Sequence, residues 1–276
     1  MAIEFPSIDP VAFSLGPIDV RWYALAYIAG FVLGWKYCVL LVARLPLAPH
    51  MPDREMIDDL LAWIILGVIV GGRLGYILFY QLDFYAANPE EMIKLWRGGM
   101  SFHGGLLGAG AAIYLFSLRK GVSFWVLFDL VAAAAPIGLF FGRIANFVNG
   151  ELYGRVTDVS WGVIFPSGGD IPRHPSQLYE AIFEGAVLWF LLFLFIIYYN
   201  ALVKNGLLTG LFLCGYSLAR FTIEFFRMPD EEIGLILDYL SMGQILSVPM
   251  FGIGCAFIYI AYTRDKEPEE ADRGHK

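Results

Sequence analysis

Residues 178–200 read LYEAIFEGAVLWFLLFLFIIYYN, and from Gly185 to Tyr199 no charged side chain interrupts them. A helix needs about 20 predominantly apolar residues to cross a bilayer core, so this stretch predicts a membrane span. Working outward from it, six further runs share the character, at about 22–43, 57–80, 101–118, 122–141, 206–226 and 243–262. The composition agrees: of 276 residues, 58% are hydrophobic and 16% charged, and the mean hydropathy is +0.62. A soluble domain of this size cannot bury that much apolar surface. The predicted fold class is an all-α polytopic membrane protein with seven transmembrane helices. No period of about 20–50 residues repeats, and no Gly/Ser or Pro-rich linker divides the chain, so residues 1–276 read as a single integral membrane domain.

An odd number of spans puts the termini on opposite sides. With the N-terminus outside, the inner loops and tail hold Arg44, Arg54, Arg119, Lys120, Lys204, Arg264, Lys266, Arg273 and Lys276. The outer segments hold Arg21, Lys94, Arg97, Arg143, Arg155, Arg173 and Arg227. The two shortest inner loops are basic and carry no acid, which favours this orientation. Met1 to Asp19 lacks the basic and apolar regions of a cleavable signal peptide, so the first span is expected to be retained. The longest loop, 142–177, is polar, Gly-rich and Pro-punctuated, with weak alternation from Val159 to Phe165. It predicts a small periplasmic cap containing a short strand or hairpin. Pairs of small residues four apart, such as Gly71/Gly75 and Gly104/Gly108, predict close helix approach.

Several functions are excluded by composition. The formal charge of −7 comes with no basic stripe, which argues against nucleic-acid binding. Cys38, Cys214 and Cys255 stand apart in apolar runs, without CxxC or Cys/His spacing, and read as packing residues, so no metal is expected.

Tyr23, Arg73, His103, Arg143, Asn146, Glu151, Arg155, His174, Glu180, Glu184, Arg220, Glu224 and Arg227 all fall in the outer half of a span or in an outer loop. Lys36 and Asp129 are the exceptions on the inner half; the first can snorkel, and the second needs a partner that the sequence does not identify. A charge in lipid costs about 2.5–3.5 kcal/mol, so Arg73 and Arg220 should face the bundle interior or a wet cavity. Any one arginine could simply anchor its helix by snorkelling, but the clustering on one side suggests a site. Arg220, Glu224 and Arg227 recur at i, i+4 and i+7 on one helical face. Arg143 and Asn146 share a face if their helix continues past Phe141, and could hold one anion together.

Several arginines with one histidine and a few carboxylates suit phosphate binding and proton transfer, because a guanidinium donates in pairs and stays charged when desolvated. His103 follows Ser101, a plausible N-cap. An imidazole there titrates near neutrality and meets a helix dipole that opposes positive charge, which suits a neutral base. A histidine merely hydrogen-bonded between helices would fit the same position.

Six blocks then resemble the prolipoprotein diacylglyceryl transferase family, in its order. They are WYALAYIAGF (22–31), GGRLGYILFY (71–80), RGGMSFHGGLLG (97–108), GRIANFVNGELYGR (142–155), RHPSQLYEA (173–181) and RFTIEFFRMPD (220–230). The family often has Gly where Ala24 stands, a small change that also permits close packing. The resemblance implies a seven-helix enzyme of the bacterial cytoplasmic (inner) membrane, N-terminus periplasmic and C-terminus cytoplasmic. It implies transfer of diacylglyceryl from phosphatidylglycerol to the lipobox cysteine thiol in a prolipoprotein signal peptide, forming a thioether and releasing glycerol phosphate. No cofactor is implied, and the partners are the two substrates and membrane lipids. The functional blocks surround Tyr23, His103, Arg143, Asn146, Glu151, Gly154, Arg220 and Glu224. With the residue reading, His103, Arg143 and Arg220 are the expected catalytic residues. Arg143, Tyr23, Arg73, Asn146, Glu151, Gly154, Glu224 and Arg227 are the expected substrate-binding set. The rivals are a phospholipid-using acyltransferase and a lipid transporter, whose pathway intramembrane arginines could also line.

Overall fold

The structure is a computed structural model and describes residues 2–6, 8–44, 52–229, 235–236 and 239–264. Lys266, Arg273 and Lys276 of the basic tail, Asp230 of the last block and most of the loop after Arg44 lie outside the described residues. The chain divides into two compact units, Met1–Cys38 with Asp129–Lys276, and Val39–Phe128.

Unit Val39–Phe128 is built on helices α2 (Arg54–Tyr80), α3 (Leu82–Ala87) and α4 (Phe102–Lys120). Asp53 caps α2 by accepting from the Met56 amide at 2.8 Å, and Ser101 caps α4 by accepting from the Gly104 amide at 3.2 Å. Each meets a donor that the helix cannot satisfy internally. The predicted close approach occurs between α2 and α4. A Cβ on Gly71 would strike the Gly104 carbonyl and stand 2.7 Å from Gly108 Cα. Glycine here lets two backbones pack directly, as small residues do between membrane helices.

The other unit begins with β1 (Ile3–Glu4), β2 (Val11–Leu15) and β3 (Ile18–Arg21), which lead into α1 (Trp22–Arg44). After α5 (Phe124–Val148) come β4 (Val163–Ile164) and α6 (Ser176–Glu180), then a π-helical stretch, Ala181–Val187, continuing into α7 (Leu188–Tyr199). Helix α8 (Leu207–Ile223), β5 (Leu235–Ile236), β6 (Leu240–Ser241) and α9 (Met242–Arg264) complete it. β2 and β3 form an antiparallel hairpin, Val11 opposite Arg21 and Leu15 opposite Ile18.

Among the described residues, five helical segments are long and apolar enough to cross a membrane: α1, α2, α5, Ser176–Tyr199 and α9. This is a multi-pass membrane protein, mostly helical. Large apolar side chains such as Leu66, Phe79, Leu107 and Phe190 are exposed on helix surfaces, as a lipid solvent requires.

Three boundaries differ from the sequence reading. The fourth predicted span does not stop at Phe141, because α5 runs on through Gly142, Arg143 and Asn146 to Val148. Those polar residues suggest a loop, yet nothing breaks the helix before Asn149-Gly150, where Gly150 takes φ 66°. The loop of the predicted cap therefore starts after Val148. Helix α8 is shorter than 206–226 and covers 17 residues, because Phe226 leaves the helix and its carbonyl accepts the Arg155 amide at 2.8 Å. In the loop the expected short strand narrows to Val163–Ile164, which pairs in parallel with Ile3–Glu4, while Val163 also bridges Arg173 of the same loop in antiparallel sense, their amides and carbonyls exchanging hydrogen bonds at 2.9 Å.

Candidate functional site

Helix α5 presents Arg143, the chain from Ser176 presents Glu180 and Glu184, and α8 ends in Arg220 and Glu224. These groups converge. Arg143 Nε lies 2.8 Å from Glu180 Oε2, and its second branch lies 3.4 Å from Glu184 Oε2. Arg220 pairs with the other oxygen of Glu180 at 3.1 Å and with Glu224 at 2.9 Å, while Arg227 Nε stands 4.0 Å from Glu180. Glu180 is thus one carboxylate bridging two guanidiniums, an oxygen for each. The phenol group of Tyr216 interacts electrostatically with the same ions.

Glu180 and Glu184 have no exposed surface (0% each). A buried carboxylate without a partner costs several kcal/mol, so the arginines are obligatory partners and the six groups form one electrostatic unit. Glu184 sits within the π-helical stretch, and such single-turn insertions recur at functional sites. Each guanidinium has five N–H donors in a planar fork. Arg143 is ion-paired with both carboxylates but, among the described residues, hydrogen-bonds only to Glu184, through one terminal nitrogen, which leaves donor capacity for a further oxyanion.

The ladder expected from Arg220, Glu224 and Arg227 is present in its Arg220–Glu224 pair. The single anion site expected from Arg143 and Asn146 divides in two. Asn146 turns to Glu151, donating from Nδ2 at 2.8 Å, and Gln177 holds the Glu151 carbonyl at 2.6 Å. Tyr23 belongs to this second cluster. Its hydroxyl is 3.2 Å from that of Tyr27 and interacts with Asn146 and Glu151.

Gly154 is bound through its backbone, with its amide donating to the His174 carbonyl at 2.8 Å and its strand bridged to Arg227. A Cβ there would strike the Phe226 carbonyl and reach 2.8 Å from the His174 carbonyl, so a glycine lets the loop, His174 and the end of α8 meet. Around them, Trp161 donates to the Tyr179 hydroxyl at 2.7 Å, which lies 3.1 Å from His174 Nδ1. Burial pulls the His174 imidazole below its ordinary 6.5, with Asp158 opposing.

In the other unit, Arg73 is buried and spends its guanidinium on backbone carbonyls: Met92 at 2.9 Å, Glu91 at 2.7 Å, Gly98 at 2.5 Å, Gly99 at 3.0 Å and Lys94 at 3.3 Å. It therefore orders the segment that leads to Ser101. His103 is the second residue of α4, exposed, with its ring 5.7 Å from that of Phe102. Glu180 and Glu184 are the residues that sequence reasoning left without a role. Their signal was two glutamates four apart inside an apolar span.

Helices fit to cross a bilayer and a buried arginine–glutamate centre define a multi-pass membrane protein with a polar site buried among its helices. The family model for prolipoprotein diacylglyceryl transferase matches residues 10–260. A relative from Methylocella silvestris is 53% identical over 268 residues, covering 96% of this chain and 98% of the relative. One from Azospirillum brasilense is 56% identical over 257 residues, covering 92% and 95%. One from Allorhizobium ampelinum is 51% identical over 272 residues, covering 96% and 95%. Each of the three is named a phosphatidylglycerol–prolipoprotein diacylglyceryl transferase. The chain belongs to the prolipoprotein diacylglyceryl transferase family, and is a transferase of lipoprotein biosynthesis.

Proposed function

We propose that this enzyme moves the diacylglyceryl group of phosphatidylglycerol onto the thiol of the lipobox cysteine in a prolipoprotein signal peptide, with Arg143 and Arg220 holding the lipid phosphate. The observation that carries the assignment of residues is the meeting of both guanidiniums on the Glu180 carboxylate, at 2.8 and 3.1 Å. In the reaction, sulfur bonds to C3 of the diacylglyceryl group and the C3–O bond breaks, its electron pair passing to the phosphate oxygen. The thiol proton passes to a base, and glycerol phosphate leaves. A phosphodiester carrying one negative charge becomes a monoester carrying a second. Guanidiniums already oriented toward that oxygen stabilise the transition state more than the ground state, which lowers the barrier.

Glu180 and Glu184 hold the arginines in place before lipid arrives, and Glu224 and Arg227 complete the cluster. Tyr23, Asn146 and Glu151 form the neighbouring polar cluster, and Gly154 and Arg73 act by ordering backbone. His103 takes the thiol proton; this assignment rests on its family block and its exposed place in the first turn of α4. We place the enzyme in the bacterial cytoplasmic membrane as a single membrane domain with seven spans, α4 and α8 crossing with the five long segments. The N-terminus and the cap loop are periplasmic and the C-terminus is cytoplasmic.

The test is a product assay. Purified enzyme in phosphatidylglycerol nanodiscs, given a lipobox peptide, should yield a peptide heavier by one diacylglyceryl group, in a linkage that survives mild base. An acyl chain released by base would instead mark an acyltransferase, and lipid movement without a covalent product a transporter.

A further inference from the structure

Asp129 lies on the inner half of α5, away from the arginine cluster, and is 1% exposed. Its two oxygens are fully used by α8. Oδ2 accepts from the Gly206 amide at 2.6 Å, and Oδ1 accepts from the Thr209 amide at 2.8 Å and hydroxyl at 2.6 Å. Helix α8 has Gly206 as its own N-cap residue, which has no side chain to offer. Its free amides are therefore satisfied from another helix.

The position of this clamp is informative. Arg143 stands fourteen residues after Asp129 on α5, and Arg220 stands fourteen residues after Gly206 on α8. At ~1.5 Å rise per residue both arginines lie ~21 Å from the clamp, so the two helices deliver their guanidiniums at one level. Glu180 needs that equality, because it meets Arg143 with one oxygen and Arg220 with the other. A slip of one residue would move either arginine by ~1.5 Å and turn it by ~100°, beyond what contacts of 2.8 and 3.1 Å tolerate.

We propose that Asp129 is a positioning residue that fixes the register of α5 against α8, and thereby holds Arg143 and Arg220 level for a single phosphate. The phosphate rests on the function proposed above; the register does not. Asp129→Ala should lower kcat tenfold or more, with a smaller change in KM for phosphatidylglycerol. Asp129→Asn keeps an acceptor oxygen and should fall between. Asp129→Ala/Thr209→Asp moves the carboxylate onto α8, where it can cap the helix but cannot tie it to α5. That double variant should recover the unfolding temperature without recovering kcat.

Register is read directly from nitroxides at Leu139 and Leu218, in a chain whose three cysteines are replaced by alanine. Their distance distribution should widen or shift by ~1.5 Å or more in Asp129→Ala and in the double variant. Recovery of kcat together with stability in the double variant would make Asp129 a helix cap only and overturn the proposal. So would wild-type kcat with an unchanged distance in Asp129→Ala or, if neither alanine variant folds, in Asp129→Asn. A shifted distance in a protein whose wild type makes no thioether product would leave the register role standing and remove the function.

Discussion

Replacing Arg143 and Arg220 by lysine isolates the paired geometry of their guanidiniums from their charge. Arg143 reaches two carboxylates through different nitrogens, at 2.8 and 3.4 Å, and Arg220 reaches Glu180 and Glu224 in the same way, at 3.1 and 2.9 Å. Lysine preserves the charge balance against the buried glutamates. It therefore avoids the ~3–5 kcal/mol penalty that alanine would incur by leaving a buried carboxylate unpaired. What it loses is the planar fork, since one ammonium cannot place two parallel donors. Removing one donor aimed at a developing oxyanion typically costs ~10²–10³ in rate, or ~2.7–4 kcal/mol. Each lysine variant should therefore lose ~10²-fold in kcat while unfolding near the wild-type temperature. The loss in the double variant should be less than the product of the two, because the residues act as a unit. The assay is initial-rate diacylglyceryl transfer to a lipobox peptide in phosphatidylglycerol nanodiscs, followed by mass. Turnover within about twofold of wild type in both single variants would refute the paired-donor role and leave only general attraction of the phosphate.

Three further outcomes are expected. Cysteines at Asp170 and Glu55, both exposed, should react differently with an impermeant thiol reagent added to intact cells; labelling at position 170 alone supports the proposed topology, and labelling at 55 contradicts it. His103→Gln should lose ~10²–10⁴-fold, the usual contribution of a positioned base, and should recover in part as pH rises and solvent ionises the thiol unaided; near-normal activity with a flat pH response would remove His103 from the chemistry. Because burial holds the His174 imidazole below 6.5, the unfolded chain binds the extra proton first, so the contribution of His174 is complete above 6.5 and declines as pH falls from there through the lower folded value. Hydrogen exchange at the Gly154 and Val163 amides, corrected for intrinsic rates, should accelerate on acidification in wild type and respond less in His174→Gln; an identical response in both would show that His174 does not carry the effect.

Much of this was legible in the chain itself. Apolar runs locate the long helices because a bilayer imposes one length on any span, and length is a local property of sequence. Ser101 as the cap of α4 was legible for the same reason, since a cap is a contact between near neighbours. The one-sided distribution of charge pointed to Arg143, Arg220 and Glu224, and the residue blocks pointed to the family. The strands at Ile3–Glu4 and Val163–Ile164 were not legible as a pair, because strand pairing is decided by a partner far away in sequence. Arg73 was legible as an arginine that must turn inward, and it is buried, but its partners were not, because the five backbone carbonyls that satisfy it come from a segment about 18–26 residues further on.

By itself the sequence determined the membrane setting, the family and the residue types available for phosphate chemistry, since these follow from composition, period and contiguous motifs. Only the tertiary structure decided which charge answers which. Asn146 lies three residues from Arg143 yet serves Glu151, while Arg143 joins Glu180 and Glu184 from another helix, and Asp129 finds its partners on α8 at Gly206 and Thr209. In a low-dielectric interior every buried charge must be met by a partner within a few ångströms, and which partner arrives there is set by how helices pack, information that no local stretch of the chain contains.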